Sequence, residues 1–128
     1  MRHAVLLLGL LAGQPLFADT PAAPTVTDVP QDKGPQEVDV LTREFPVGAG
    51  TGWHVHAGVE IAYLIEGEMS FEQEGQPARR QLPGQTFLIP RGVRHNAVNV
   101  GAVPARLVVT LVVDKGKPLR TPVPAPSP

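Results

Sequence analysis

The sequence predicts an all-β domain, a sandwich or barrel of short strands. Two observations carry this. From Val38 to Val113, short runs that are apolar or that alternate apolar with polar recur, each bounded by glycine or proline. Between the same limits no stretch of useful length shows helical periodicity. A chain of 128 residues allows one such domain and little more.

The strands follow in order. VDVLTREF (Val38–Phe45) alternates. WHVH (Trp53–His56) is short. EIAYLIE (Glu60–Glu66) is followed by Gly67-Glu68, and EMSFEQE (Glu68–Glu74) then alternates and reads as its return strand. Glu74-Gly75-Gln76-Pro77 is a turn. QTFLIP (Gln85–Pro90), RHNAVNV (Arg94–Val100) and ARLVVTLVV (Ala105–Val113) complete the set. No internal repeat of solenoid length is visible.

The ends differ from this middle. Met1-Arg2-His3 is a charged start, Ala4 to Ala12 a brief apolar run, and Ala18 a small residue before Asp19. That order predicts a signal peptide over residues 1–18, cleaved after Ala18, and an exported product, periplasmic or secreted. The apolar run is shorter than the ~20 residues a membrane span needs. Residues 19–35 read as a flexible leader, with five prolines between Pro15 and Pro35. Residues 118–128 form a Pro-rich tail with five prolines in eleven residues. The folded domain is expected over 36–117.

Composition excludes several functions. Aromatics are 5% and the formal net charge is −1 with no basic stripe, which argues against nucleic acid as a partner. Loss of residues 1–18 removes Arg2, leaving 10 Lys+Arg against 12 Asp+Glu. There is no cysteine, so thiol catalysis and disulfides are both excluded.

The chemistry-bearing residues cluster. GWHVHAGVE holds His54, His56 and Glu60 within seven residues. Strand side chains alternate, so His54 and His56 share a face, and Ala57-Gly58-Val59 is a turn or the start of the next strand. Two imidazoles and a carboxylate are ligands of intermediate hardness for a transition metal. A fourth ligand has to come from another strand, and His95 is the only other histidine after Ala18.

At this point the chain resembles the cupins. Their first motif, G-x5-H-x-H-x3-E-x6-G, falls on Gly48, His54, His56, Glu60 and Gly67. Their second, G-x5-P-x-G-x2-H-x3-N, falls on Gly84, Pro90, Gly92, His95 and Asn99. Sixteen residues separate the two. At about one in twenty per position, chance agreement at all ten positions is negligible.

The resemblance implies a small jelly-roll β-barrel. It implies a divalent transition metal (Fe, Mn, Ni, Co or Zn) held by His54, His56, Glu60 and His95, with open positions for a small-molecule substrate. A divalent ion with one carboxylate keeps a charge near +1, which favours enolate or carboxylate ligands. Cupins commonly dimerise through strands as apolar as Ala105–Val113, so a homodimer is expected. The function implied is a metal-dependent oxidoreductase similar to quercetin dioxygenase. The alternatives are an isomerase, decarboxylase or lyase on the same centre, or a non-catalytic ligand- or metal-binding module. Chemistry needing a Cys–Tyr crosslink is excluded by the missing cysteine.

Gly67, Gly84 and Gly92 are expected to serve turns, and Asn99 to hold one by side-chain hydrogen bonds. Trp53 should face away from His54. Tyr63 is expected to pack on its strand. Arg91 and Arg94 flank His95 as candidate rim cations. Phe71, Phe87, Ile89, Leu107, Val109 and Leu111 are expected in the core or the pocket wall.

Overall fold

A computed structural model describes residues 27–30 and 34–127. The expected signal segment, residues 1–18, and most of the expected leader, 19–35, lie outside the described residues. Nine strands and no helix occur among those described. They are β1 (Gln36–Phe45), β2 (His54–Val55), β3 (Gly58–Glu66), β4 (Met69–Gln73), β5 (Arg79–Gln81), β6 (Thr86–Ile89), β7 (His95–Asn99), β8 (Ala105–Asp114) and β9 (Thr121–Pro122).

The first eight strands pair as a nest: β1 with β8, β2 with β7, β3 with β6 and β4 with β5, all antiparallel. This is one long hairpin, rolled up so that its pairs fall alternately into two sheets. One sheet has the order β1-β8-β3-β6 and the other β5-β4-β7-β2-β9. The topology is that of a jelly roll. The expected barrel is not closed: the sheets face each other as a sandwich, and each keeps its own two edge strands. Side chains rather than shared ladders join them. Phe71 of β4 and Phe87 of β6, for example, meet across the gap with ring centroids 4.5 Å apart.

Alternation explains which residues are inside. On β8, Ala105, Leu107, Val109, Leu111 and Val113 are buried, and the residues between them are more exposed. On β3, Glu60, Ala62 and Leu64 point inward, while Ile61, Tyr63 and Ile65 point out and are exposed. Tyr63 therefore stays on its strand's outer face. Phe71, Phe87 and Ile89 join the same buried cluster.

Three sequence expectations need correction. β4 is not the return strand of β3, because β3 pairs with β8 and β6 while β4 pairs with β5 and β7. Gly67 turns the chain from one sheet into the other, with φ +83°, where a Cβ would stand 2.6 Å from the Ala105 Cα. Arg79–Gln81 forms β5, although its charged residues gave no apolar signal. The fold also continues past Lys117. Thr121–Pro122 adds to the free edge of β2, and the Val123 amide donates to the Trp53 carbonyl at 3.0 Å. Proline is compatible with that outermost position, since it owes no ladder hydrogen bond on its solvent side.

Asn99 holds a corner, as expected. Its Nδ2 donates to the carbonyls of Phe45 (2.9 Å) and Val103 (2.8 Å), and its Oδ1 accepts from the Gly101 amide (2.9 Å). Gly58 starts β3 against β8 so closely that a Cβ would lie 1.9 Å from the Val112 carbonyl oxygen. The contact is with backbone, which cannot move aside as a side chain would. Gly58→Ala is therefore expected to destabilise the protein by about 3 kcal/mol and to displace Glu60 two residues on. Urea unfolding checks the first effect and metal content the second.

Candidate metal centre

The site is built where β2, β3 and β7 converge. His54 pairs directly with His95 across the β2–β7 ladder, so both imidazoles start from one register position. His56 follows β2 on the same side as His54, while Trp53 before them and Val55 between them are more exposed. Glu60 comes from the opposing sheet, on β3. All four residues are buried, with 2–9% of their surface exposed. Their candidate ligand atoms lie within 4.8 Å of one another. The imidazole centroids are 4.2 to 5.0 Å apart.

The backbone fixes each ring. His54 Nδ1–H donates to the Gly52 carbonyl at 2.7 Å, and His95 Nδ1–H to the Val93 carbonyl at 2.9 Å. His56 Nδ1–H donates to the Leu119 carbonyl, on the segment leading into β9. A carbonyl only accepts, so Nδ1 carries the proton in all three rings. Nε2 of each is then the atom left to bind, and a metal-binding histidine needs this orientation. The Glu60 carboxylate lies 2.6 Å from His56 Nε2 and 3.2 Å from His95 Nε2, in the place where a bound cation would meet all three groups. Protons and a cation therefore compete for the same nitrogens. Three imidazoles and one carboxylate suit a first-row transition metal, and the buried group is able to hold one.

Electrostatics follow burial. His54 is lowered from 6.5 to about 4, by burial first, with the charges of His95, His56 and Arg120 adding to it against the Gly52 hydrogen bond. For Glu60, burial pushes the carboxyl up. The hydrogen bonds and charges of His56 and His95 outweigh it and bring the group from 4.5 to about 2.

A cavity of about 220 Å³ opens onto this cluster between the two sheets. Its walls are mainly apolar, from Leu41, Phe45, Met69, Phe71, Phe87, Leu107, Val109 and Leu111. Arg43 and Thr51 also line it, as do Leu119 and Arg120 from the C-terminal segment. The candidate rim cations are engaged elsewhere. Arg91 makes a two-pronged ion pair with Asp114 at 2.8 and 2.7 Å, which holds the Asp114 carboxyl below its usual range. Arg94 lies 3.7 Å from Glu74. Arg43 was legible in the alternation, since it stands two residues from both Leu41 and Phe45, on their face of β1. Arg120 carried no such signal, because it sits among prolines.

A jelly roll of two sheets with a buried three-histidine, one-carboxylate cluster at the mouth of an interior pocket defines a metal-binding β-sandwich protein. The sequence profile of the cupin domain matches residues 41–113, more than half of the chain, and the chain belongs to the cupin family. No curated protein sequence matches it. Among solved structures it is similar to the DMSP lyase DddQ from Ruegeria pomeroyi, at 27% identity and TM-score 0.60, over 66% of this chain and 42% of that one. It is also similar to an oxalate oxidase, at 28% identity and TM-score 0.57, over 62% of this chain and 44% of that one. A double-stranded β-helix protein from Klebsiella pneumoniae shares the fold at 22% identity and TM-score 0.58, over 62% and 70% of the two chains. The chain thus spans less than half the length of the lyase and oxidase chains.

Two outcomes are expected. The protein binds one transition-metal ion per chain, and the double variant His54→Ala/His56→Ala loses it, as read by elemental analysis. In chelator-treated protein, melting temperature falls with acid. The unfolded His54 takes up its proton near pH 6.5 and the folded one only near 4, so the stability that His54 contributes is lost as pH falls between those values. The Glu60 contribution is present above about 4.5 and is lost as pH falls toward 2. His54→Gln should flatten the upper part of that profile.

Proposed function

We propose that the chain is a metal-dependent oxidoreductase, dioxygenase-like in its centre, acting on a small oxygen-bearing organic molecule. The observation that carries this reading is the four-ligand cluster opening directly onto an apolar pocket. A metal held by His54, His56, Glu60 and His95 would supply a redox or Lewis-acid centre with open positions. The chain's own side chains do the rest. The apolar walls exclude water and orient the substrate's body, and the Nδ1–carbonyl contacts keep the imidazoles aimed.

Among the described residues, the pocket lining beyond the four candidate ligands holds no carboxylate, lysine, tyrosine or histidine. That lining supports a reaction centred on the metal more than proton abstraction by a separate base. Similarity to an oxalate oxidase supports this direction. A lyase on the same centre is the second reading, favoured by the similarity to DddQ. Reading residues 1–18 as an export signal belongs to the same proposal and rests on the sequence pattern alone.

We also propose a homodimer. The outer face of the β1-β8-β3-β6 sheet sets Val40, Thr110, Ile61 and Leu88 in one cross-strand row, beside Val38 and Tyr63. Val38, Val40, Ile61 and Tyr63 are exposed there. Such a flat apolar face suits a second copy about a two-fold axis. Light scattering should give twice the chain mass, and Val40→Glu with Ile61→Glu should give the monomer.

Oxygen consumption by iron-, manganese- or nickel-loaded protein, across phenolic and dicarbonyl compounds, tests the enzymatic reading. Uptake coupled to substrate loss is expected, and it should vanish in His54→Ala/His56→Ala. Turnover that continues without oxygen would establish the lyase reading in its place. No turnover with any metal would leave a binding module.

A further inference from the structure

Seven arginines lie among the described residues, and most are spoken for. Arg80 pairs with Glu68, Arg91 with Asp114, Arg94 with Glu74 and Arg106 with Glu66. Arg79 has no ion pair and is exposed on the edge strand β5. The other two, Arg43 and Arg120, form no ion pair with a carboxylate among the described residues, and both line the pocket at its solvent-exposed side. Glu60 is the one acidic residue in that lining among the described residues, and its carboxylate is already met by two imidazoles. The pocket lining therefore carries two guanidiniums without carboxylate partners on an otherwise mainly apolar wall.

The two guanidiniums are held differently. Arg43 projects from β1 with its Cζ 5.8 Å from the centre of the Phe45 ring. Arg120 is anchored through one nitrogen, which donates to the Thr51 carbonyl at 2.6 Å. A guanidinium has five N–H donors, so this leaves donors for a ligand. Its neighbour Leu119 supplies the carbonyl that orients His56. Leu119 and Arg120 both lie beyond the 41–113 stretch that matches the cupin domain. The segment between β8 and β9 thus lines the pocket and brings a charge to it.

We propose that Arg120, with Arg43, selects the substrate: a small carboxylate with an apolar body, its charge met by the guanidiniums and its body by the leucine and phenylalanine walls. This names the substrate class of the centre proposed above, and rests on that reading only for what happens after binding. Guanidinium matches carboxylate by paired, charge-assisted hydrogen bonds, strongest where water is excluded. A cavity of about 220 Å³ limits the body to about one ring or a short branched chain.

Calorimetry on the full chain, metal-free and metal-loaded, tests this with benzoate, the neutral benzamide and the bodiless acetate. Benzoate is expected to bind best, with Arg120→Gln weakening it about 10- to 100-fold. Arg120→Lys should lose less, and Arg43→Gln/Arg120→Gln should abolish binding. Unchanged metal content and melting temperature in Arg120→Gln show that the segment still seats. If they change, Arg43→Gln alone decides, with at least a tenfold loss expected. Benzamide binding as tightly as benzoate, acetate binding as tightly as benzoate, wild-type affinity in the double variant, or no binding at all would each overturn the proposal. Because binding is read without turnover, charge-dependent binding in a protein that consumes no oxygen would leave this inference standing and remove only the oxidoreductase.

Discussion

Burying Glu60 is the constraint around which this molecule is arranged. An ionised carboxylate taken out of water costs several kcal/mol unless it is paired and hydrogen-bonded. Here the partners are His56 and His95, which reach it from the opposite sheet. Those imidazoles serve only if their rings are held, so each commits Nδ1–H to a backbone carbonyl. The carbonyls belong to Leu119 and Val93, and His54 beside them is held in the same way by Gly52, so three separate segments position the rings. One charge thus ties together β2, β3, β7 and the approach to β9.

The same arrangement explains how a domain without a disulfide can join two sheets that share no strand. Apolar contacts such as Phe71 on Phe87 fill the middle of the sandwich. Near its mouth the polar cluster takes over as the link between sheets. A divalent ion there would replace hydrogen bonds by coordination and tighten that link, since binding energy to the folded state alone is stability. Structure and chemistry draw on one set of side chains. A change at the cluster is felt in both.

The pocket shows how charge is apportioned. Four arginines that do not line the pocket meet carboxylates, and the exposed pairs among them contribute little to stability. Two at the exposed edge of the lining, Arg43 and Arg120, do not. Their guanidiniums, with a centre of net charge near +1 when a divalent ion is bound, make the cavity a favourable place for an anion.

Strands with apolar faces, the two histidine–glycine blocks and the four candidate ligands are legible from the residues alone. Each of these is a local pattern: alternation on β8, the H-x-H spacing that sets His54 and His56 on one side, glycines where the backbone needs a positive φ. Arg43 was readable in the same way, two residues from Leu41 and Phe45. The rest depends on which segments become neighbours in space. The pairing of β4 away from β3 depends on which strands are neighbours in the roll, and no two-residue turn signal encodes that. β5 forms because β4 offers it an edge, not because Arg79–Gln81 favours a strand. Leu119 and Arg120 reach the site because β2 is two residues long and leaves an edge that Thr121–Pro122 can fill. A backbone carbonyl has no sequence signature, and a charge gains its meaning from what fails to neutralise it.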